Sequence, residues 1–201
     1  MSEHLEIEQK FDVGEGFTRP SFDGLAGFSA DPPVLHRLSA TYFDTADGRL
    51  SASKITLRRR TGGTDEGWHL KLPAGSGSRR EVHAPLGPGE EPVPEVLTAR
   101  VAEVTSGQSL APIAVLDTER TVVTLRGGDG SVVAEVADDS VTARRLPARG
   151  EPQRWREIEV EVPVAAPGLQ SAAADLLFGA GARPAGHGSK LARALDEGHT
   201  P

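Results

Sequence analysis

Leu5-Glu6-Ile7-Glu8-Gln9-Lys10-Phe11 alternates strictly: Leu5, Ile7 and Phe11 take one parity with polar Gln9, while Glu6, Glu8 and Lys10 take the other. Side chains alternate across a strand, so this segment reads as a β-strand with one apolar and one charged face. Towards the other end of the chain, Trp155-Arg156-Glu157-Ile158-Glu159-Val160-Glu161-Val162 repeats the pattern, with Ile158, Val160 and Val162 opposed by Glu157, Glu159 and Glu161. Like charges two apart on one strand face repel each other. Two such strands therefore either face open water or gather carboxylates round a cation.

The strands predicted between them carry the opposite sign. Residues 38–45 (LSATYFDT) read as a strand, and residues 53–61 place Arg58 and Arg60 opposite Ile55 and Leu57. A Gly-Gly-Thr-Asp turn leads into Trp68-His69-Leu70-Lys71-Leu72, with Lys71 on the polar face. Together these two segments look like a hairpin. Residues 78–85 put Arg79, Glu81 and His83 on one parity. Helical spacing of Val96, Leu97, Val101 and Val104 between Pro94 and Gly107 predicts a helix. Residues 113–126, 131–146 and 153–164 supply three longer strands, bringing the total to eight. The tail changes period, with one amphipathic helix marked by Leu169, Ala172, Ala173, Leu176 and Leu177 and a shorter one by Leu191, Ala194 and Leu195.

Acid strands and base strands are thus segregated, whereas a solvated sheet interleaves the signs. A polyanion with its metal needs one carboxylate wall and one cationic wall. The predicted fold is α+β, predominantly β: an eight-stranded antiparallel β-barrel tunnel with charged faces inward and flanking helices over the apolar outer faces. Residues 1–201 are read as a single domain, a usual size for one barrel. Zero cysteines exclude thiolate ligands and nucleophiles, which leaves hard cations such as Mg²⁺ as the natural partners of the carboxylates. A net charge of −7 argues against a protein that coats nucleic acid. With no run of eighteen apolar residues and no signal-peptide pattern, neither a membrane association nor secretion is expected, and the expected location is cytoplasmic.

These residues resemble the CYTH domain proteins, or triphosphate tunnel metalloenzymes, whose hallmark ExExK stands here as Glu6-x-Glu8-x-Lys10. The resemblance continues through Leu57-Arg58-Arg59-Arg60, Lys71 in a W-x-L-K setting, Arg79-x-Glu81 and Arg120, and then Asp138-Asp139, Glu157-x-Glu159 and Ser189-Lys190. It covers nearly the whole chain in order. It implies that Glu6, Glu8, Asp139, Glu157 and Glu159 hold one or two divalent ions, Mg²⁺ or Mn²⁺. Lys10, Arg58, Arg60, Lys71, Arg79, Arg120 and Lys190 would bind phosphate oxygens, and Glu6, Glu8, Lys10, Glu157 and Glu159 would be the catalytic set. The implied activity is metal-dependent hydrolysis of a linear triphosphate. Inorganic triphosphate is favoured because aromatic residues total only 4%, with thiamine triphosphate or a nucleoside triphosphate next. A class IV-type adenylate cyclase and a noncatalytic polyphosphate-binding module are the alternatives. The partner in each case is a small triphosphate or short polyphosphate; oligomeric state is not legible.

Alternation favours Asp139 over Asp138, because Asp139 shares parity with Glu135. Glu81 and Glu135 are read as partners orienting cationic heads, or as exposed ion pairs. Glu161 is read as solvent-facing or peripheral, His83 as a surface histidine, and Arg59 as outward with Leu57. His4, His36, His187 and His199 show no ligand spacing. Trp68, Trp155, Tyr42 and Phe43 suit barrel packing as well as stacking on a base.

Overall fold

A computed structural model of the protein describes residues 2–75, 78–87, 92–147, 150–162 and 167–196, with backbone alone for residues 4–7 and 167. Eight long strands carry the fold: β1 (Ser2–Val13), β3 (Val34–Asp44), β4 (Thr56–Thr61), β5 (Gly67–Pro73), β6 (Arg79–Ala84), β7 (Ala111–Arg126), β8 (Val132–Arg145) and β9 (Gln153–Val162). Two strands of two residues each, β2 (Ser29–Ala30) and β10 (Arg183–Pro184), add to β7 and β1 and were too short to show a period. The pairing order β1-β6-β5-β4-β3-β7-β8-β9 returns to β1, antiparallel throughout. At that seam, residues 2–6 of β1 pair with β6 and residues 7–13 pair with β9, so no residue of β1 pairs with both. The expected eight-stranded antiparallel arrangement is present, with its seam split along β1 rather than laddered along its whole length.

Two apolar clusters lie on the outward parity. Helix α4 (Pro167–Gly179) lays Leu169, Ala173 and Leu177 on Phe11, Leu125, Val136, Ile158 and Val160. Leu50 of α1 (Arg49–Ala52), Leu97 of α2 (Glu95–Thr98) and Val101 cover Leu57, Trp68, Leu70 and Val82. Each fully buried leucine contributes roughly 1.5–3 kcal/mol relative to exposure. The helix expected over residues 94–107 is broken into α2, a 3₁₀ turn (Ala99–Val101) and α3 (Ala102–Thr105), because Val101 leaves helical geometry at φ −115°, ψ 7°.

The third cluster corrects an expectation. Leu191 and Ala194 of α5 (Lys190–Leu195) pack on Ala40, Tyr42, Ala114, Leu116, Val141 and Ala143. Those residues share the parity of Arg120 and Asp139, so α5 does not cover an outer face: it lies against the inward faces of β3, β7 and β8. Inward apolar residues gathered at one stretch of these strands gave α5 a place inside, and the charged cavity occupies the stretch beyond it.

Candidate active site

Register builds the acid pole. Arg120 on β7 faces Asp139 on β8, and Asp139 faces Glu157 on β9, with Glu159 next on the same parity. Asp139 is fully buried, and Glu157 and Glu159 nearly so. Ligand atoms of these three carboxylates lie within 4.8 Å of one another. Ser189 caps α5 by accepting the Ala192 amide at 3.0 Å, which sets Lys190 at the first turn. From there the Lys190 ammonium reaches Asp139 Oδ2 at 2.8 Å, Glu157 Oε1 at 2.7 Å and Glu159 Oε1 at 2.6 Å.

Arg120 holds Asp139 bidentately, at 2.8 and 2.6 Å, and donates to Glu159 Oε2 at 2.7 Å. Lys10 pairs with Glu159 and lies 3.2 Å from Glu8 Oε2. Asp138 points the other way, into a bidentate pair with Arg156 at 2.8 Å per bond, in keeping with the parity argument that preferred Asp139. Burial opposes ionisation of Asp139 and Glu159, but Lys190 and Arg120, with Lys10 at Glu159, outweigh it and hold both carboxyls below their ordinary values. Glu8 is lowered likewise, burial being overcome by Lys71 and Lys10. Burial works against the Lys190 charge, yet Asp139, Glu159 and Glu157 raise it well above a normal lysine.

Across a cavity of about 400 Å³ stands the basic wall. Arg58, Arg60, Lys71, Arg79 and Arg120 line the cavity together with Glu8, Lys10, Glu159 and Lys190. Arg58 donates to the Tyr42 hydroxyl at 3.3 Å beside a register shift in β3. Among the described residues, Nε of Arg58 and Nε of Arg60 are buried and meet no hydrogen-bond partner. Burial, then Arg58 and Arg120, pull Arg60 down to about 9, so it remains charged at neutral pH. Arg79 donates to the Gly188 carbonyl at 2.7 Å, tying β6 to the segment that leads into α5.

Of the residues singled out from sequence, Glu6 has its backbone in β1, and its side chain lies outside the described residues. Asp139 and Glu157 sit behind the cavity surface rather than on it. Lys190, assigned to phosphate, lies among the three carboxylates. His83 is no surface histidine: it lines the cavity, its ring 4.8 Å from that of His69. Glu161 lines the cavity with its register partner Glu135. Trp155 does more than pack, since its indole N–H donates to Glu157 Oε2 at 2.6 Å.

His69 was missed, although its parity with Lys71 was there to read. Its Nδ1 lies 2.5 Å from Glu81 Oε1 and its Nε2 lies 2.9 Å from the Asp65 carbonyl. Two acceptors favour the doubly protonated ring. Burial and the guanidiniums of Arg58 and Arg60 oppose it and bring the ring to about 4, so at neutral pH one nitrogen donates at a time. Glu81, buried but bonded to His69 and beside Lys71, is held well below the ordinary carboxylate range.

Three buried carboxylates with no thiolate or imidazole among them form an oxygen-only donor set suited to a hard divalent cation. The Lys190 ammonium, in contact with one oxygen of each, stands in for such a cation. The family model of the CYTH domain matches residues 4–187. The chain belongs to the CYTH domain family. Two uncharacterized Mycobacterium tuberculosis proteins, Rv2226 of strain H37Rv and MT2285 of strain CDC 1551, are 43% identical over 96% of this chain and 40% of their own length. This CYTH domain thus spans about two fifths of those relatives. A candidate adenylate cyclase from Bacillus halodurans shares the fold at a TM-score of 0.66 and 18% identity, over 98% of this chain and 100% of that one. A candidate adenylyl cyclase from Hippeastrum, described as having a dominant triphosphatase activity, does so at 0.56 and 18%, over 94% of each chain. Among the described residues no helix is long and apolar enough to cross a membrane.

Proposed function

We propose that this CYTH domain hydrolyses a linear triphosphate with the help of a divalent cation. The observation that carries the reading is a cavity lined by Arg58, Arg60 and Lys71 and backed by the buried carboxylate cluster of Asp139, Glu157 and Glu159. A triphosphate buried without cations would lose its hydration uncompensated. Guanidiniums left with open N–H groups supply the compensation as charge-assisted hydrogen bonds to phosphate oxygens.

Asp139, Glu157 and Glu159, with Glu8 beside them, would hold Mg²⁺ or Mn²⁺. That ion supplies Lewis acidity at the phosphate oxygens. Glu8 and Glu159, both lowered, stay ionised at neutral pH and can accept hydrogen bonds from a water and so orient it. Arg120, bound to both Asp139 and Glu159, fixes the acid pole against the substrate. Trp155 holds Glu157 in its rotamer.

Inorganic triphosphate suits the cavity best. Among the described residues Tyr42 is the only phenolic, phenyl or indole side chain lining it, and its hydroxyl is engaged by Arg58. The deciding experiment follows phosphate release from inorganic triphosphate, thiamine triphosphate and ATP, each with Mg²⁺, Mn²⁺ or chelator. Metal-dependent release, fastest from inorganic triphosphate, is the expected result. Cyclic AMP from ATP would make it a cyclase, and binding without turnover would make it a polyphosphate-binding module.

A further inference from the structure

The phosphate-binding wall already carries an anion of the protein's own. Asp65 lies in the connection 62–66 between β4 and β5, and its carboxylate contacts Nη2 of Arg60. The two partners differ in kind: the Arg60 side chain is 4% exposed, whereas that of Asp65 is 56% exposed. A fixed, buried cation is therefore met by a carboxylate that reaches in from solvent. Thr64, Asp65 and Arg60 all line the cavity, so the contact is made at the charged space.

Local sequence holds the connection in that place. Gly62 and Gly63 both have φ near 78°, and Gly67 has φ 155°. A Cβ on Gly62 would stand 2.2 Å from the Arg37 carbonyl oxygen, and one on Gly67 would stand 2.2 Å from His83 Nε2. From within the barrel, His69 Nε2 approaches the Asp65 carbonyl at 2.9 Å and His83 Nε2 approaches the Glu66 carbonyl at 3.2 Å. Both contacts are to backbone carbonyls, and neither engages the Asp65 carboxylate. Arg60 also shares its wall with Arg58 and Arg120, and Glu81 offsets that crowding only in part. An anion at Arg60 relieves the repulsion among three guanidiniums.

We propose that Asp65 is an internal occupant of a phosphate seat on Arg60, and that a phosphoryl group of an entering short polyphosphate exchanges with it. Built on the reading of the cavity as a triphosphate site, the exchange makes Asp65 a specificity-determining residue. A ligand has to carry enough charge to displace a tethered carboxylate, and Asp65 returns when the ligand leaves.

Titration calorimetry of inorganic triphosphate into the protein in chelator isolates the anion seat from any metal. Asp65→Asn is expected to bind about twofold to fivefold more tightly than the wild type, the range that a partly exposed ion pair commands. The gain should shrink as salt is raised. Asp65→Glu, which keeps the charge, should return the affinity to near the wild-type value. A residue that only shaped the turn could weaken binding when changed, but would not strengthen it. Equal or weaker binding by folded Asp65→Asn, with wild-type binding intact, overturns the exchange and leaves the triphosphate site standing. Failure of the wild type itself to bind overturns the site reading and the exchange together.

Discussion

The ammonium of Lys190 lies 2.6 Å from Glu159 Oε1 across 31 residues of chain, joining the first turn of α5 to the acid face of β9. Removing one partner from a buried ion cluster leaves uncompensated charge and costs about 3 kcal/mol or more. Lys190→Gln should accordingly melt roughly 6–12 °C lower in chelator for a chain of this size. Added Mn²⁺ should then raise the Tm of the variant more than that of the wild type, because the ammonium no longer competes for the three carboxylates. Thermal scans of both proteins with and without Mn²⁺ check this, and identical melting in chelator would count against the contact.

Much of this arrangement was legible in sequence, for a physical reason. A period of two sorts side chains to faces regardless of the rest of the fold, so Glu8, Lys10, Arg58, Lys71, Asp139 and Glu159 could all be assigned inward by parity. Parity also separated Asp139 from Asp138. It could not say where along the barrel an inward apolar residue sits, and so α5 looked like an outer cover rather than an inner neighbour of Leu116 and Val141. Asp65 was invisible for a different reason. Loop residues carry no period, and its contact with Arg60 depends on glycine backbone angles that the letters Gly62 and Gly63 allow without specifying.

Acid should destabilise the protein in two separable steps. His69 has a folded value of about 4 against 6.5 when free, so the unfolded chain binds more protons between those values. Its contribution to stability is therefore lost as pH falls from 6.5 towards 4. Glu8, Asp139 and Glu159 are also depressed, from 4.5, 3.8 and 4.5, and their contribution is lost only as pH falls below about those values. Urea midpoints measured from pH 8 to 3 should decline gently through the first window and steeply below it. His69→Gln should flatten the upper slope and, because Glu81 loses the imidazole that helps to lower it, change the lower one as well; an unchanged upper slope would assign it to another group.

Arg60 should show opposite effects on stability and on binding. It is a buried cation crowded by Arg58 and Arg120, while its partner Asp65 is half in solvent and can rehydrate when released. Replacing a whole buried ion pair with apolar side chains is neutral or stabilising by about 1 kcal/mol or more; here only the buried partner needs replacing, because Asp65 is 56% exposed and returns to water. Arg60→Met is expected to raise the Tm by up to about 2–4 °C. The same change removes a charge-assisted donor and should weaken binding of inorganic triphosphate about tenfold to a hundredfold in chelator. A fall in both quantities would mean that Arg60 is held by more than Asp65.

Glu8 offers the cleanest test of turnover, because its removal disturbs little else. Glu159 touches Lys10, Lys190 and Arg120, so its loss would strip three cations of a partner and confuse chemistry with folding. Glu8 touches Lys10 at 3.2 Å and is also lowered by Lys71; when Glu8 is gone, Lys10 keeps Glu159 and Lys71 keeps Glu81 at 3.4 Å. Glu8→Ala should therefore melt within a few degrees of the wild type. Residues that merely support a metal ligand cost tenfold to a hundredfold when removed, so a carboxylate facing the ion and the substrate should cost at least about a hundredfold in metal-dependent phosphate release. Binding of inorganic triphosphate in chelator should survive, since the basic wall is intact and a negative neighbour of the ligand has been removed. Phosphate release, melting temperature and calorimetry on the one variant separate these cases. Release at the wild-type rate from a folded Glu8→Ala protein would remove Glu8 from the chemistry and move the task of holding a water to Glu159.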